Sequence, residues 1–274
     1  MPTATADLAR RLERVAADYL VTRYSGPGNP MGTQFLRDSD LIATKVPYVP
    51  HNRFMNGVHG LEHAGQLPAV LSFYGATGQP CWIDVLPDAS TALTNALIDA
   101  HFRPDSYGAT LYAAPLPQPG APPTGLIHVE HYDGVDISVA DDAGLDVFLD
   151  TLNVGFGSPP DVLPALRANQ HFWPGIATWR LLLARVDGAP AGAAVLAVHE
   201  RCAYLAVASV LPAFQRRGVH RRLIDTRIDH ARGSGCTLIT GQAEWGSVSQ
   251  CNQQRAGLAI CHAKTVWTNH RSAV

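Results

Sequence analysis

A chain of 274 residues with 46% hydrophobic and 16% charged side chains holds enough apolar material for one large domain or two ordinary ones, which excludes disorder of the whole chain. A formal net charge of −2 provides no global field for nucleic acid or an anionic membrane, so any phosphate recognition has to be local. Five scattered cysteines without a CxxC pair, and twelve histidines without ligand spacing, predict reduced thiols, a cytoplasmic protein and no metal.

Charges interrupt Met1 to Leu20, so it lacks the apolar core of a signal peptide, and no segment reaches membrane-spanning length. Leu8, Leu12, Val15, Tyr19 and Leu20 predict a surface helix over Ala6 to Leu20 with one buried stripe. Leu41 to Val46, Leu67 to Phe73 and Cys81 to Leu86 are predicted as strands, and Ser90 to Ala100 as a helix. A strand around Ala109 to Ala113 then closes a strand-helix-strand unit. Five prolines between Ala113 and Gly125 stiffen the backbone and remove amide donors, the composition of a linker. The expected division is therefore 1–112, a linker at 113–125, and 126–274.

Past the prolines, a helix is expected from Asp141 or Asp142 to about Val154, its acidic start suiting the helix dipole, and another near Asp161 to Asn169. Trp179 to Val186 is an apolar run that reads as a central strand, turned by Asp187-Gly188-Ala189-Pro190 into its partner Ala191 to Val198. Cys202 to Val210 is a third strand stopped by Pro212, and Gly218 to Arg232 a helix ended at Gly233-Ser234-Gly235. A short strand at Thr237 to Thr240, a helix over Ser247 to Ala256 and a last strand over Ala259 to Thr268 complete the chain.

The chemistry concentrates in the turn Gln215-Arg216-Arg217-Gly218-Val219-His220. The first amides of the following helix have no intrahelical acceptor, and the dipole adds positive charge there. Gly218 brings bare backbone close to a ligand, while Arg216, Arg217, Arg221 and Arg222 surround it with cations. Such a cradle fits a pyrophosphate; the plainer reading is a surface helix with solvated arginines.

The segment resembles the signature of the GNAT acetyltransferase superfamily, Gln or Arg, two variable residues, Gly, one variable residue, then Gly or Ala, with a proline three positions earlier. Gln215, Gly218 and Pro212 match, and His220 replaces the last small residue, where its ring either crowds the pyrophosphate or points away. The order of elements from Asp141 to Thr268 is also similar to that superfamily. The resemblance implies an α/β fold with a mixed, mostly antiparallel central sheet flanked by helices, and acetyl-CoA or another acyl-CoA as co-substrate. It implies that the backbone of Ala208, Ser209 and Val210 pairs with the pantetheine arm, the amides of Arg216, Arg217, Gly218, Val219, His220 and Arg221 hold the pyrophosphate, and the Val210 amide faces the oxyanion. Ser249 and Asn252 match a Ser-x-x-Asn pattern near the cofactor; a helix cap and a surface residue are the other readings. The tyrosine that many relatives use as general acid is replaced by Gln253, which leaves Ser249 or an unassisted thiolate. Glu244, just past the Thr237 to Thr240 strand, is the candidate base, a solvated loop carboxylate being the alternative and Tyr204 a further candidate.

The N-terminal half resembles a smaller, degraded GNAT copy without the Gln-x-x-Gly-x-Gly loop. On that resemblance Tyr48, His51, Asn52, Arg53, Phe54 and Asn56 reach the acceptor, with Phe156, Trp173 and Trp245 as walls. The implied activity is direct acyl transfer, with acetyl as the leading acyl group, to a primary amine of a small molecule, with no nucleic acid or membrane partner and a homodimer left open. A peptide or protein amine, or a CoA-binding sensor without catalysis, are the alternatives.

Overall fold

The computed structural model describes residues 6–118, 127–133 and 142–269. The first half runs α1 (Ala6–Tyr24), β1 (Gln34–Asp38), β2 (Leu41–Lys45), β3 (Gly57–His59), α2 (Leu67–Gly75), β4 (Trp82–Val85), α3 (Thr91–Asp99) and β5 (Arg103–Ala113). The second runs β6 (Ile127–Asp133), α4 (Asp142–Gly155), α5 (Leu163–Gln170), β7 (Trp179–Val186), β8 (Ala189–His199), β9 (Cys202–Val210), α6 (Val219–Gly233), β10 (Leu238–Glu244), α7 (Val248–Arg255) and β11 (Ala259–Thr268). Most of the proline-rich stretch expected as a linker lies outside the described residues.

Among the described residues, eleven strands form one sheet in the order β1-β2-β3-β4-β11-β5-β10-β9-β8-β7-β6. It is mixed and mostly antiparallel, the parallel pairs being β3 with β4 and β9 with β10. The two halves repeat one arrangement, since β3-α2-β4-α3-β5 matches β9-α6-β10-α7-β11 in order and in its single parallel pair. Their last strands are exchanged. β5 lies between β10 and β11, and β11 lies between β5 and β4.

Several elements differ from expectation. Leu67 to Phe73 is helical, not a strand; Leu67, Val70 and Tyr74 are its buried side, a helical spacing, and Pro68 sits where a helix start tolerates a missing amide. A short apolar run carries no period to separate the two. β4 and β5 flank α3 in sequence but β11 separates them in the sheet. β7 is one strand in from the β6 edge, and its continuous apolar run arises because both faces are covered. Leu181, Leu183 and Val195 face the core that contains Leu12, Phe148 and Trp173. Leu182, Ala184 and Leu196 face Leu223, Ile224 and Ile228 of α6.

α1 is more deeply packed than a surface helix with one stripe, because its charged residues Glu13 and Arg23 are buried too. Glu13 accepts from Lys264 Nζ at 2.9 Å, Gln242 Nε2 at 3.0 Å and Thr110 Oγ1 at 2.5 Å, and its carboxylate lies 2.9 Å from His262 Nε2. The one carboxylate thus ties α1 to β5, β10 and β11. Burial alone would raise its pKa, but Lys264 and His262 hold it at about 2. Burial disfavours a charged His262, yet contacts with Cys261 and Glu13 lift it to about 9.

A depressed carboxylate stabilises the fold fully above its ordinary value of 4.5 and loses that contribution as pH falls toward 2. The raised His262 contributes fully below 6.5 and loses its contribution as pH rises through 9. Glu13→Gln is expected to cost about 3 kcal/mol at pH 7, as breaking a buried ion pair does, and to flatten the acid limb. Urea unfolding followed from pH 2 to 10 checks both; an unchanged midpoint and acid limb would exclude Glu13 as the anchor.

Candidate active site

The parallel ladder of β9 and β10 runs from Cys202 and Leu238 to Leu205 and Gly241, and stops. β9 continues on β8 to Val210, and β10 on β5 to Glu244, so the sheet splits at this point. At the same place β9 bulges, because Ala194 pairs with Ala208 but Leu196 with Leu205. Leu211 donates its amide to Ala191 on β8. Strand alternation therefore turns the amides of Val210 and Ala208 toward the split. Ser209 faces the other way, its hydroxyl donating to Leu152 O at 2.8 Å, against Gly155, where a Cβ would meet that oxygen at 2.4 Å.

Beyond β9, a turn at Pro212–Phe214 leads into α6, capped by Gly218 with φ 79°. That left-handed conformation is the reason for glycine there, and Arg216 adopts it as well at φ 60°. Gln215, Arg216 and Arg217 are exposed around this helix start, with Arg217 over the Phe214 ring at 5.6 Å. Val219 is buried in the core and Arg221 pairs along the helix with Asp225 at 2.9 Å. His220 lines a cavity, and its Nδ1 lies 3.1 Å from Asn252 Nδ2 on α7. Asn252 Oδ1 accepts from Arg255, which fixes the amide, so His220 Nδ1 is the acceptor and Nε2 carries the proton. Burial and the nearby Arg227 push His220 down to about 4, and it is neutral at pH 7.

The corresponding helix start in the first half is built differently. Gln66 Oε1 already accepts the amides of Glu62 and His63, and Glu62 pairs with Arg10 at 3.1 Å. A carboxylate and occupied amides offer no anion cradle.

The split in the sheet opens into a cavity of about 440 Å3 lined by both halves. Glu244 stands on its rim at the end of β10, a strand that continues past Thr240, so it is neither past the strand nor an unpaired loop carboxylate. Arg53 Nη2 binds it at 2.9 Å while Nη1 donates to Ser106. Ser249 lines the cavity and accepts from Gln253 at 3.4 Å; the helix cap is Ser247 instead, which accepts from the Gln250 amide. Gln253 fills the space over Gly241, and its buried Oε1 has no hydrogen-bond partner. Tyr204 packs edge-on to Tyr19 at 5.3 Å, and burial raises its phenol to about 12.

Of the first-half run, Arg53 and Phe54 line the cavity. Asn56 is wholly buried and ties the backbone at Val46, Val49 and Asn52. Phe156 is a wall, but Trp173 belongs to the core beside Trp179. Sequence reading missed further groups lining the cavity: His59 Nδ1 lies 2.9 Å from Asp84, Asp84 accepts from Lys264 at 2.6 Å, and Arg23 and Arg227 line it as well. The available signal was ionisable residues inside apolar strands and in the buried stripe of a helix, where they occur only when paired or used.

Residues 153–249 match the model of the Acetyltransferase (GNAT) family. No curated protein matches the chain. A GCN5-related N-acetyltransferase from Kribbella flavida superposes with a TM-score of 0.61 at 15% identity, over 94% of this chain and 96% of its own. A tandem GNAT protein from the clavulanic acid biosynthesis pathway superposes at 0.58 and 12% identity, over 99% and 98%. A GCN5-related N-acetyltransferase from Sphaerobacter thermophilus gives 0.58 at 13% identity, over 85% and 82%. The matched segment spans the bulged β9, the Gly218 turn and the split from β10, so this part of the chain is similar to the acetyltransferase domain of the GNAT family, and the two-part fold is similar to that of a tandem GNAT protein.

Proposed function

We propose that the chain transfers an acyl group, with acetyl as the leading candidate, from CoA directly to a primary amine of a small molecule. The observation that carries this reading is the cavity at the split between β9 and β10, lined on part of its wall by side chains of the first half. A protein or peptide amine requires an open groove, and the first half occupies that space with Arg53, Phe54, Trp82 and Tyr107. In this reading 126–274 is the catalytic unit and 1–112 a worn copy that shapes the acceptor pocket.

CoA supplies an activated thioester. Amides of Arg216 to Arg221 and the Arg216 and Arg217 side chains bind its pyrophosphate, and Gln215 and Asn252 flank it. Ala208 and Val210 present amides to the pantetheine arm and the developing oxyanion, and Ser209 braces that strand against α4. His220 fits beside the cradle because its ring is drawn toward Asn252. Glu244 takes the amine proton, directly or through water; His59, oriented by Asp84, is the second group able to accept it. Ser249 and the protonated Tyr204 phenol are the proton donors available to the leaving thiolate.

Gly218→Glu puts bulk and negative charge into the cradle and is expected to abolish CoA binding in calorimetry while the fold survives; unchanged affinity would move the nucleotide elsewhere. Glu244→Gln is expected to lower kcat/KM by about 100-fold and remove the acidic limb of its pH profile. If Glu244→Gln is near normal and His59→Asn shows that loss, the base is His59.

A further inference from the structure

The charges around the cavity do not balance. Asp84 is paired with Lys264 and His59, Glu244 with Arg53, and Glu13 behind them with Lys264 and His262. Each of these carboxylates is therefore satisfied. Arg23 and Arg227, both lining the same cavity, have no carboxylate partner among the described residues.

Both are deeply buried, at 8% and 2% exposure. Arg23 lies over the rings of Tyr24 and Trp173 at 5.1 and 5.9 Å, and its Nε has no hydrogen-bond partner. Arg227 donates from Nε to Leu223 O and from Nη1 to Val195 O and Ala206 O, at 3.1, 3.3 and 3.4 Å, with Ala206 in the β9 bulge. Its Nη2 hydrogens are left for another acceptor. The Tyr19 and Tyr204 phenols lie near both arginines and line the same cavity. Dispensing with counter-charges at two buried guanidiniums is costly unless an anion arrives with the substrate. A planar guanidinium edge is matched by a carboxylate.

We propose that the Arg23 and Arg227 side of the cavity is a carboxylate-binding subsite, so that one substrate brought to the split carries a carboxylate. The inference rests on the acyltransferase reading and narrows it. The carboxylate belongs either to the acceptor, as in an amino acid, or to the free end of a dicarboxylic acyl thioester.

Two arms of one experiment separate these sources. Thiol release by the full chain is measured with acetyl-CoA against amino acids and their decarboxylated amines, then with acetyl-, malonyl- and succinyl-CoA against one amine. The carboxylate-bearing member is expected to be preferred roughly 10- to 100-fold in kcat/KM in one arm, which identifies the source. Arg227→Met and Arg23→Met should erase that preference while calorimetric CoA affinity stays unchanged. Arg227→Lys, which keeps the charge, guards against misfolding and should retain part of it. Equal use of carboxylate and neutral substrates in both arms would overturn the subsite. If the native chain binds no CoA, the acyltransferase reading fails instead. Calorimetric titration of the amino acids, their amines and a dicarboxylate without CoA, in native and Arg227→Met chains, then decides the subsite alone.

Discussion

The exchange of β5 and β11 is the constraint on which the rest depends. β5 pairs with β10 over Gly108 to Ala113 and with β11 over Arg103 to Tyr112, while β11 also pairs with β4. Separating the halves would expose the main-chain groups of the longest ladder in the sheet, β5 with β11, and buried amides and carbonyls do not go unpaired. The buried Glu13 adds a side-chain lock across the same strands, with partners from β5, β10 and β11. The cavity floor is thus a joint product of both halves and keeps its shape only while they stay interleaved.

The split beside this junction sets the second half apart. Ending the β9–β10 ladder at Leu205 and Gly241 leaves amides of β9 without a neighbour, and the bulge at the same level re-aims them. The left-handed Gly218 then turns the chain so that α6 begins at the mouth of the split. One half kept this geometry while the other filled its equivalent helix start with Gln66 and Glu62. The same architecture therefore carries a glycine-capped, arginine-flanked helix start in one half and not in the other.

Electrostatics sorts the groups lining the cavity into two sets. Lys264, Asp84, His59, His262 and Glu13 form a compensated network from α1, β3, β4 and β11. Apart from that network, Arg23 and Arg227 are cations held by aromatic rings and backbone carbonyls. The cavity thus offers a compensated, hydrogen-bonding surface from the network and uncompensated positive charge from the two arginines.

The sequence by itself determined the elements whose signals are local. The β7 to β9 strands, the α6 and α7 helices, β11 and the Gly218 turn follow from apolar runs, prolines and glycines within a few residues, and they appear close to their expected limits. Leu67 to Phe73 was illegible because so short and largely apolar a run has too little period to distinguish helix from strand. The brief β1 and β3 gave no comparable pattern. Only the tertiary structure decided that β5 enters between β10 and β11, and that Glu13, 251 positions from Lys264, meets it beneath the site. Strand order and charge pairing at such separations arise from which surfaces bury one another, and no window along the chain contains both partners.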